Sequence, residues 1–287
     1  SYLNRYVFGT GDIRKLCTDN TNSIVVNFAE NGSFNMAIND NNYGNGYRGL
    51  SARYVSNAAL NENGVDASMV VLRVKAFNGQ NTMVTGINMD VKEYANDDFH
   101  MASMGGIFNI VWTEKNGGGK NYTFAKDLAI ENCVVSLQYF NGNGTEQKQA
   151  DTANFVDKDG LCAVAVGGFI GSVSDDGASV KTKDNTGNYL FDNIKINGNS
   201  NTQRSKVTGP NGAGGLIGAS AMTGTYLEGC PGSLLSNKKA VRFGPNFLNC
   251  SYSNVNVTGK LAAGGLIGVA YAYEYTEVQF GSMGCSY

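Results

Sequence analysis

His100 is the only histidine in the chain, and it closes the run Asn96-Asp97-Asp98-Phe99-His100. An imidazole beside two carboxylates could bind a metal or move a proton. A sugar-cleaving site would need paired acids of this kind, with Asp97 and Asp98 the natural candidates. The cluster lacks a second histidine, and no Gly-x-Ser-x-Gly nucleophile elbow occurs anywhere in the chain. The run therefore reads as a solvated loop, and no catalytic residue is expected.

Other chemistry-bearing segments read the same way. Asp157-Lys158-Asp159-Gly160 resembles part of a calcium loop, but an EF-hand register would put Phe155 at position one and Val166 at position twelve. Neither side chain can ligate calcium, so this stretch and Ser174-Asp175-Asp176-Gly177 read as turns. The Gly-Gly pairs at Gly105-Gly106 and Gly167-Gly168 are not followed by Gly-Lys-Ser/Thr, which argues against phosphate binding. No metal and no cofactor is expected. Asn121, Asn143, Asn249 and Asn256 each begin a glycosylation sequon.

Aromatic residues make the best binding candidates. Tyr271, Tyr273 and Tyr275 alternate along a strand-like stretch, and Tyr43 and Tyr47 sit in the polar run around Asn39-Asp40-Asn41-Asn42. Facing outward, alternate tyrosines form a strip that stacks on sugar rings; facing inward, they pack a core or cap an end.

The elements that hold these residues must be short and extended. The chain has 287 residues with 38 Gly and only 3 Pro, and glycine is a poor interior helix residue. The hydrophobic share of 42% can build a sizeable core, while a net charge of -2 gives no basic stripe for nucleic acid. No apolar run reaches the length of a membrane helix, and Ser1–Thr10 carries Arg5 and no apolar centre of the kind a secretory signal needs. The cysteines are Cys17, Cys133, Cys162, Cys230, Cys250 and Cys285, with no Cys-x-x-Cys pair to suggest zinc. Cys230 lies twelve residues after Gly218 and Cys285 seventeen after Gly268, a spacing that could bring them together as a disulfide across neighbouring coils.

Internal repetition is the strongest signal. Gly105-Gly106-Ile107-Phe108 recurs as Gly167-Gly168-Phe169-Ile170-Gly171, Gly214-Gly215-Leu216-Ile217-Gly218 and Gly264-Gly265-Leu266-Ile267-Gly268. The first copy lacks the closing glycine and has Asn109 in its place. A strand motif precedes the later copies. It reads Glu131-Asn132-Cys133-Val134-Val135, Asp192-Asn193-Ile194-Lys195-Ile196 and Leu248-Asn249-Cys250-Ser251-Tyr252, with Gly86-Ile87-Asn88-Met89-Asp90 a weaker cousin. This alignment sets Cys133, Ile194 and Cys250 in one core column, with Asn132, Asn193 and Asn249 beside it as an amide ladder. Each repeat is about three short strands between Gly and Asn corners, and it can bury its apolar face only by stacking on its neighbours.

The Asn-Cys strand with its Val-x-Val ending, followed by Ala-Gly-Gly-Leu-Ile-Gly, resembles the GLUG-type repeats of large bacterial cell-surface proteins, including adhesin-like proteins and the non-catalytic part of some immunoglobulin A peptidases. Gly46-Tyr47-Arg48-Gly49-Leu50-Ser51-Ala52-Arg53-Tyr54 is similar to a segment preceding such repeats in giant surface proteins of gut Firmicutes. The resemblance covers roughly residues 46 to 280. It implies a secreted or surface-attached bacterial module that is no enzyme and inserts in no membrane. Its implied partners are host glycans, mucin or host proteins such as immunoglobulin, with a passive stalk as the alternative and a carbohydrate-active β-helix enzyme, using acids such as Asp97 or Asp98, as the third reading.

The expected fold is all-β, a right-handed parallel β-helix (β-solenoid). Residues 1–80 would form an N-terminal cap or first coils and 81–287 the repeats, in one continuous domain. Near the start, Ser23–Phe28 and Ser33–Ile38 flank Asn31-Gly32 and predict a hairpin.

Overall fold

The computed structural model describes residues 24–36, 49, 55–56, 72–94, 99–100, 103–112, 122–140, 165–174, 189–200, 204–210, 212–221, 242–260, 262–271, 278–283 and 285–286. Among them there is no helix, and therefore none long and apolar enough to cross a membrane.

The strands follow one another in a recurring order. β1 (Ile24–Asn27) and β2 (Ser33–Asn35) come first, then the two-residue β3 (Val55–Ser56). β4 (Leu72–Thr85), β5 (Asn88–Tyr94), β6 (Phe99–His100), β7 (Met104–Gly105) and β8 (Phe108–Trp112) follow. The next tier holds β9 (Tyr122–Glu131), β10 (Val134–Phe140), β11 (Ala165–Gly167) and β12 (Ile170–Ser174). A third holds β13 (Tyr189–Asn197), β14 (Ser205–Gly209), β15 (Gly212–Gly214) and β16 (Ile217–Ala221). A fourth holds β17 (Arg242–Leu248), β18 (Ser251–Ser253), β19 (Val255–Gly259), β20 (Ala262–Gly264) and β21 (Ile267–Tyr271), and β22 (Val278–Met283) begins a further level.

Equivalent strands of successive tiers pair in parallel and form four walls. The first wall stacks β4, β9, β13, β17 and β22; the second β5, β10, β14 and β19; the third β7, β11, β15 and β20; the fourth β8, β12, β16 and β21. The first and fourth walls are continuous, because Leu72 and Arg73 at the start of β4 pair with Val111 and Trp112 while Phe77–Thr85 pair with β9. The only antiparallel pair among the described strands joins β3 to β6.

The expected hairpin does not form. β1 and β2 both lie parallel to β4, with Ile24 opposite Val74 and Ser33 opposite Met83. Asn31 alone takes a positive φ, 49°. The tight hairpin turn signalled by Asn-Gly needs both central residues there, so the chain bends round a corner and does not reverse.

That corner recurs. Register places Asn31, Asn81, Asp127, Asn193 and Asn249 above one another, with φ of 49°, 59°, 58°, 53° and 52°. Asn and Asp tolerate this left-handed geometry best among residues with a Cβ. A second corner stacks Gly86, Asn132, Gly198 and Asn254; φ is 70° at Gly86, 52° at Asn132 and 51° at Asn254. Asn132-Cys133 thus belongs with Gly86-Ile87 and Asn254-Val255, one corner away from Asn193-Ile194 and Asn249-Cys250. The sequence alignment of the three Asn motifs is wrong by one corner, because both corners are built from Asn followed by a small or apolar residue.

The Gly-Gly repeat stacks as its spacing predicts. Gly105, Gly167, Gly214 and Gly264 are register partners, as are Phe108, Ile170, Ile217 and Ile267. A Cβ on Gly214 would collide with the Ile217 carbonyl oxygen and stand 2.6 Å from Gly268 N, and one on Gly215 would collide with the Gly265 carbonyl oxygen. The corner is closed by main chain from its own tier and the next, so only glycine fits.

Inside, apolar residues rise in columns, among them the fully buried Ile130 and Ile196 and the nearly buried Val84. A chain of aromatic contacts crosses the tiers. Phe28 meets Phe77 at 5.1 Å, Phe77 meets Phe169 at 5.3 Å, Phe169 meets Phe191 at 6.3 Å and Phe191 meets Phe247 at 5.5 Å. Each such pair adds about 0.5–1.5 kcal/mol beyond the area it buries.

Candidate functional site

Of the residues singled out for binding, the structure describes one. Tyr271 ends β21 on the fourth wall, where its backbone pairs with Ala221. Ala221, Ser174 and Trp112 occupy the same register position in the tiers below. Tyr273, Tyr275, Tyr43 and Tyr47 lie outside the described residues, as do Asp97, Asp98, the Asp157–Gly160 turn and Cys230. His100, read as part of a loop, has its backbone in β6 opposite Val55.

The four described repeats share a topological feature. The strands of the fourth wall end at stacked positions Trp112, Ser174, Ala221 and Tyr271. Each is followed by a connection back to the first wall: 113–121, 175–188, 222–241 and 272–277. The connections differ in length and sequence, while the Gly-Gly corner before each stays the same. The four strands therefore end at one edge of the stack.

The polar side chains at the corners are engaged within the stack. Asn193 Nδ2 donates to Asp127 Oδ1 at 2.9 Å, and Asn249 Nδ2 donates to Asp192 Oδ1 at 3.4 Å. Asn132 Oδ1 accepts from Asn199 N at 2.9 Å. The expected amide ladder is thus replaced by asparagines that reach an acid one tier below or a backbone amide. Cys133, one residue past its corner, donates its backbone N–H to Ser205 Oγ at 3.0 Å, and that hydroxyl donates to Asn197 O at 2.7 Å.

Two positions near the ends of the described stack depart from the inner repeats. At the lower end, Asn109 stands where the later repeats have glycine. It is fully buried, and its Oδ1 accepts from Gly105 N at 3.2 Å. In the same corner Gly106 N donates to Gly167 O at 3.1 Å, and one tier higher Gly168 N donates to Gly214 O at 3.2 Å. Gly49, buried with φ of 78°, lies against the Asn109 amide. At the upper end, Tyr252 takes the register position of Ile196. Its ring covers Gly265, in the space that the next tier's carbonyl fills above Gly215.

The thiols at Cys133 and Cys250 are core groups. Burial pushes Cys133 up to about 11 and Cys250 up to about 12. Neither is a ready nucleophile at neutral pH. Ser136 and Thr208, register partners on β10 and β14, have buried hydroxyl oxygens without a hydrogen-bond partner. They alternate with the inward-facing Val135 and Val207, which places them on the outer side of the second wall. Among the described residues no group of three or more His, Cys, Asp or Glu side chains gathers to hold a metal. No family model matches the chain, and no curated protein or solved structure matches it.

Proposed function

We propose that the parallel stack is a right-handed β-helix, and that the chain is a non-catalytic module of a bacterial secreted or cell-surface protein. In this reading it binds a host glycan, mucin or a host protein such as immunoglobulin. The supporting observation is the shared edge at which the four fourth-wall strands end, each before a connection of different length and sequence. In repeat architectures, insertions that vary from repeat to repeat map to one face, which is often the binding face. A stack whose strands end in segments of variable length and sequence is suited to presenting recognition residues. Tyr271, Tyr273 and Tyr275 belong to that edge and its last connection, and tyrosine offers both a stacking ring and a hydroxyl.

The test is capture by the immobilised chain from intestinal mucus and from secreted immunoglobulin. The reading predicts saturable capture that Tyr273→Ala weakens at least about tenfold, as expected for loss of an aromatic anchor. Failure to capture any component at high concentration contradicts it. The second reading is a passive spacer. It is favoured by the commitment of Asn193, Asn249, Asp127 and Asp192 to one another, which leaves those corners to hold the stack. Capture that no substitution along the edge alters would support the spacer, because the binding would then be nonspecific.

A further inference from the structure

We propose that Cys250 and Cys285 form a disulfide that fastens the last strand segment to the stack. The register carries this. Ser286 bridges Ser251 in parallel, Ser286 N donates to Cys250 O at 3.2 Å, and Tyr252 N donates to Ser286 O at 3.2 Å. Cys285 therefore stands one tier beyond Cys250, on the neighbouring strand segment. Parallel neighbours are about 4.8 Å apart, inside the window of about 4.4–6.8 Å that a disulfide requires between Cα atoms. Cys285 also packs on the apolar cluster that contains Cys250. Both are thiols in this structure.

The pairing differs from the one suggested by spacing, Cys230 with Cys285. It uses a partner placed by backbone hydrogen bonds, whereas Cys230 lies outside the described residues. Cys133 provides an internal comparison. Its register neighbours are Ile87 and Ser205, so no sulfur sits above or below it.

The chemistry balances with a small disulfide such as oxidised glutathione as the oxidant. The thiolate of Cys285, the less buried of the two, attacks one glutathione sulfur. The glutathione S–S bond breaks, one glutathione leaves and takes a proton from water, and a mixed disulfide remains. Cys250 then gives its proton to solvent base and attacks the Cys285 sulfur, releasing the second glutathione. Two protein thiols are oxidised and one glutathione disulfide is reduced. Because burial holds the Cys250 thiol protonated up to about pH 12, the closing step speeds up about tenfold per pH unit from neutral to mildly alkaline pH.

The experiment uses the full wild-type chain, so no variant has to fold. One sample is equilibrated with oxidised glutathione and another with a reductant. Both are alkylated, digested and mapped by mass spectrometry. The expected result is a Cys250–Cys285 linked peptide in the oxidised sample alone, closing faster as pH rises, with Cys133 still a thiol. Limited proteolysis at 278–287 should slow at least about fivefold on closure, as local opening is suppressed. A Cys230–Cys285 linked peptide, or a sample in which Cys285 stops at the glutathione adduct, overturns the proposal.

Discussion

At Gly214-Gly215 the chain turns where a Cβ would strike main chain of its own tier and of the next. At Asn193 it turns through φ of 53° with the side chain reaching back to Asp127. The two corners do the same geometric task under different constraints. The first is steric and comes from neighbouring tiers; the second is local and dihedral. The first corner therefore accepts one residue type. The second accepts any residue comfortable in the left-handed region, and Asn31, Asn81, Asp127, Asn193 and Asn249 all serve there.

The largest expected effect tests the steric corner. Gly215→Ala places a methyl into the Gly265 carbonyl. Backbone cannot move aside as a side chain can, so the cost should be about 3 kcal/mol or more, read by chemical denaturation. Wild-type stability in this variant would break the comparison.

Gly265→Ala sharpens it. The atoms nearest the added methyl belong to the tip of the Tyr252 ring, a side chain that yields more readily than main chain, so the variant should lose about 1–2 kcal/mol, clearly less than Gly215→Ala. Equal losses would mean that the tier beyond Gly265 is closed as tightly as the inner ones.

The thiols beside the asparagine corners give a pH signature. Their folded pKa values, about 11 for Cys133 and about 12 for Cys250, lie above the ordinary value of 9.0. The unfolded chain therefore releases these protons first as pH rises. The stabilisation is full below about pH 9 and declines as pH rises through 11 to 12. Alkaline unfolding of the Cys250→Ala variant should show a shallower decline than wild type over that range.

The asparagine corner should give the smallest effects. Asn193→Ala puts an ordinary side chain at φ of 53° and removes the bond to Asp127, for a loss of about 1–2 kcal/mol. Asn193→Gly loses the bond but relieves the dihedral and should stay within about 0.5 kcal/mol of wild type. A glycine variant no better than alanine would show that the constraint here is not dihedral.

The two corners also differ in how much of them the sequence reveals. A steric requirement for no side chain leaves glycine in every tier, so the Gly-Gly register could be read from spacing. A dihedral preference leaves Asn at two different corners, and Asn132 was grouped with the wrong one. The distinction lies in the stacking of Asn132 on Gly198, which depends on pairing along β9 and β13. Asn109 is visible as a departure from the repeat, but its role in accepting the Gly105 N–H is not, since that depends on how the corner between β7 and β8 folds. The aromatic chain was hidden for another reason. Phe77, Phe191 and Phe247 share one column of the first wall, but Ala125 interrupts it, and Phe169 joins from the corner before the fourth wall. Of the tyrosine strip, only the backbone position of Tyr271 lies within the described residues, where it joins an edge that the sequence alone did not indicate.

The central claim is the tier-on-tier register, and methyl NMR of the isotopically labelled chain tests it most directly. Ile170, Ile217 and Ile267 occupy one column in successive tiers. The register predicts strong through-space contacts from Ile170 to Ile217 and from Ile217 to Ile267, with a far weaker one between Ile170 and Ile267. A strong direct contact between Ile170 and Ile267, or none from Ile217 to either, would contradict the stack.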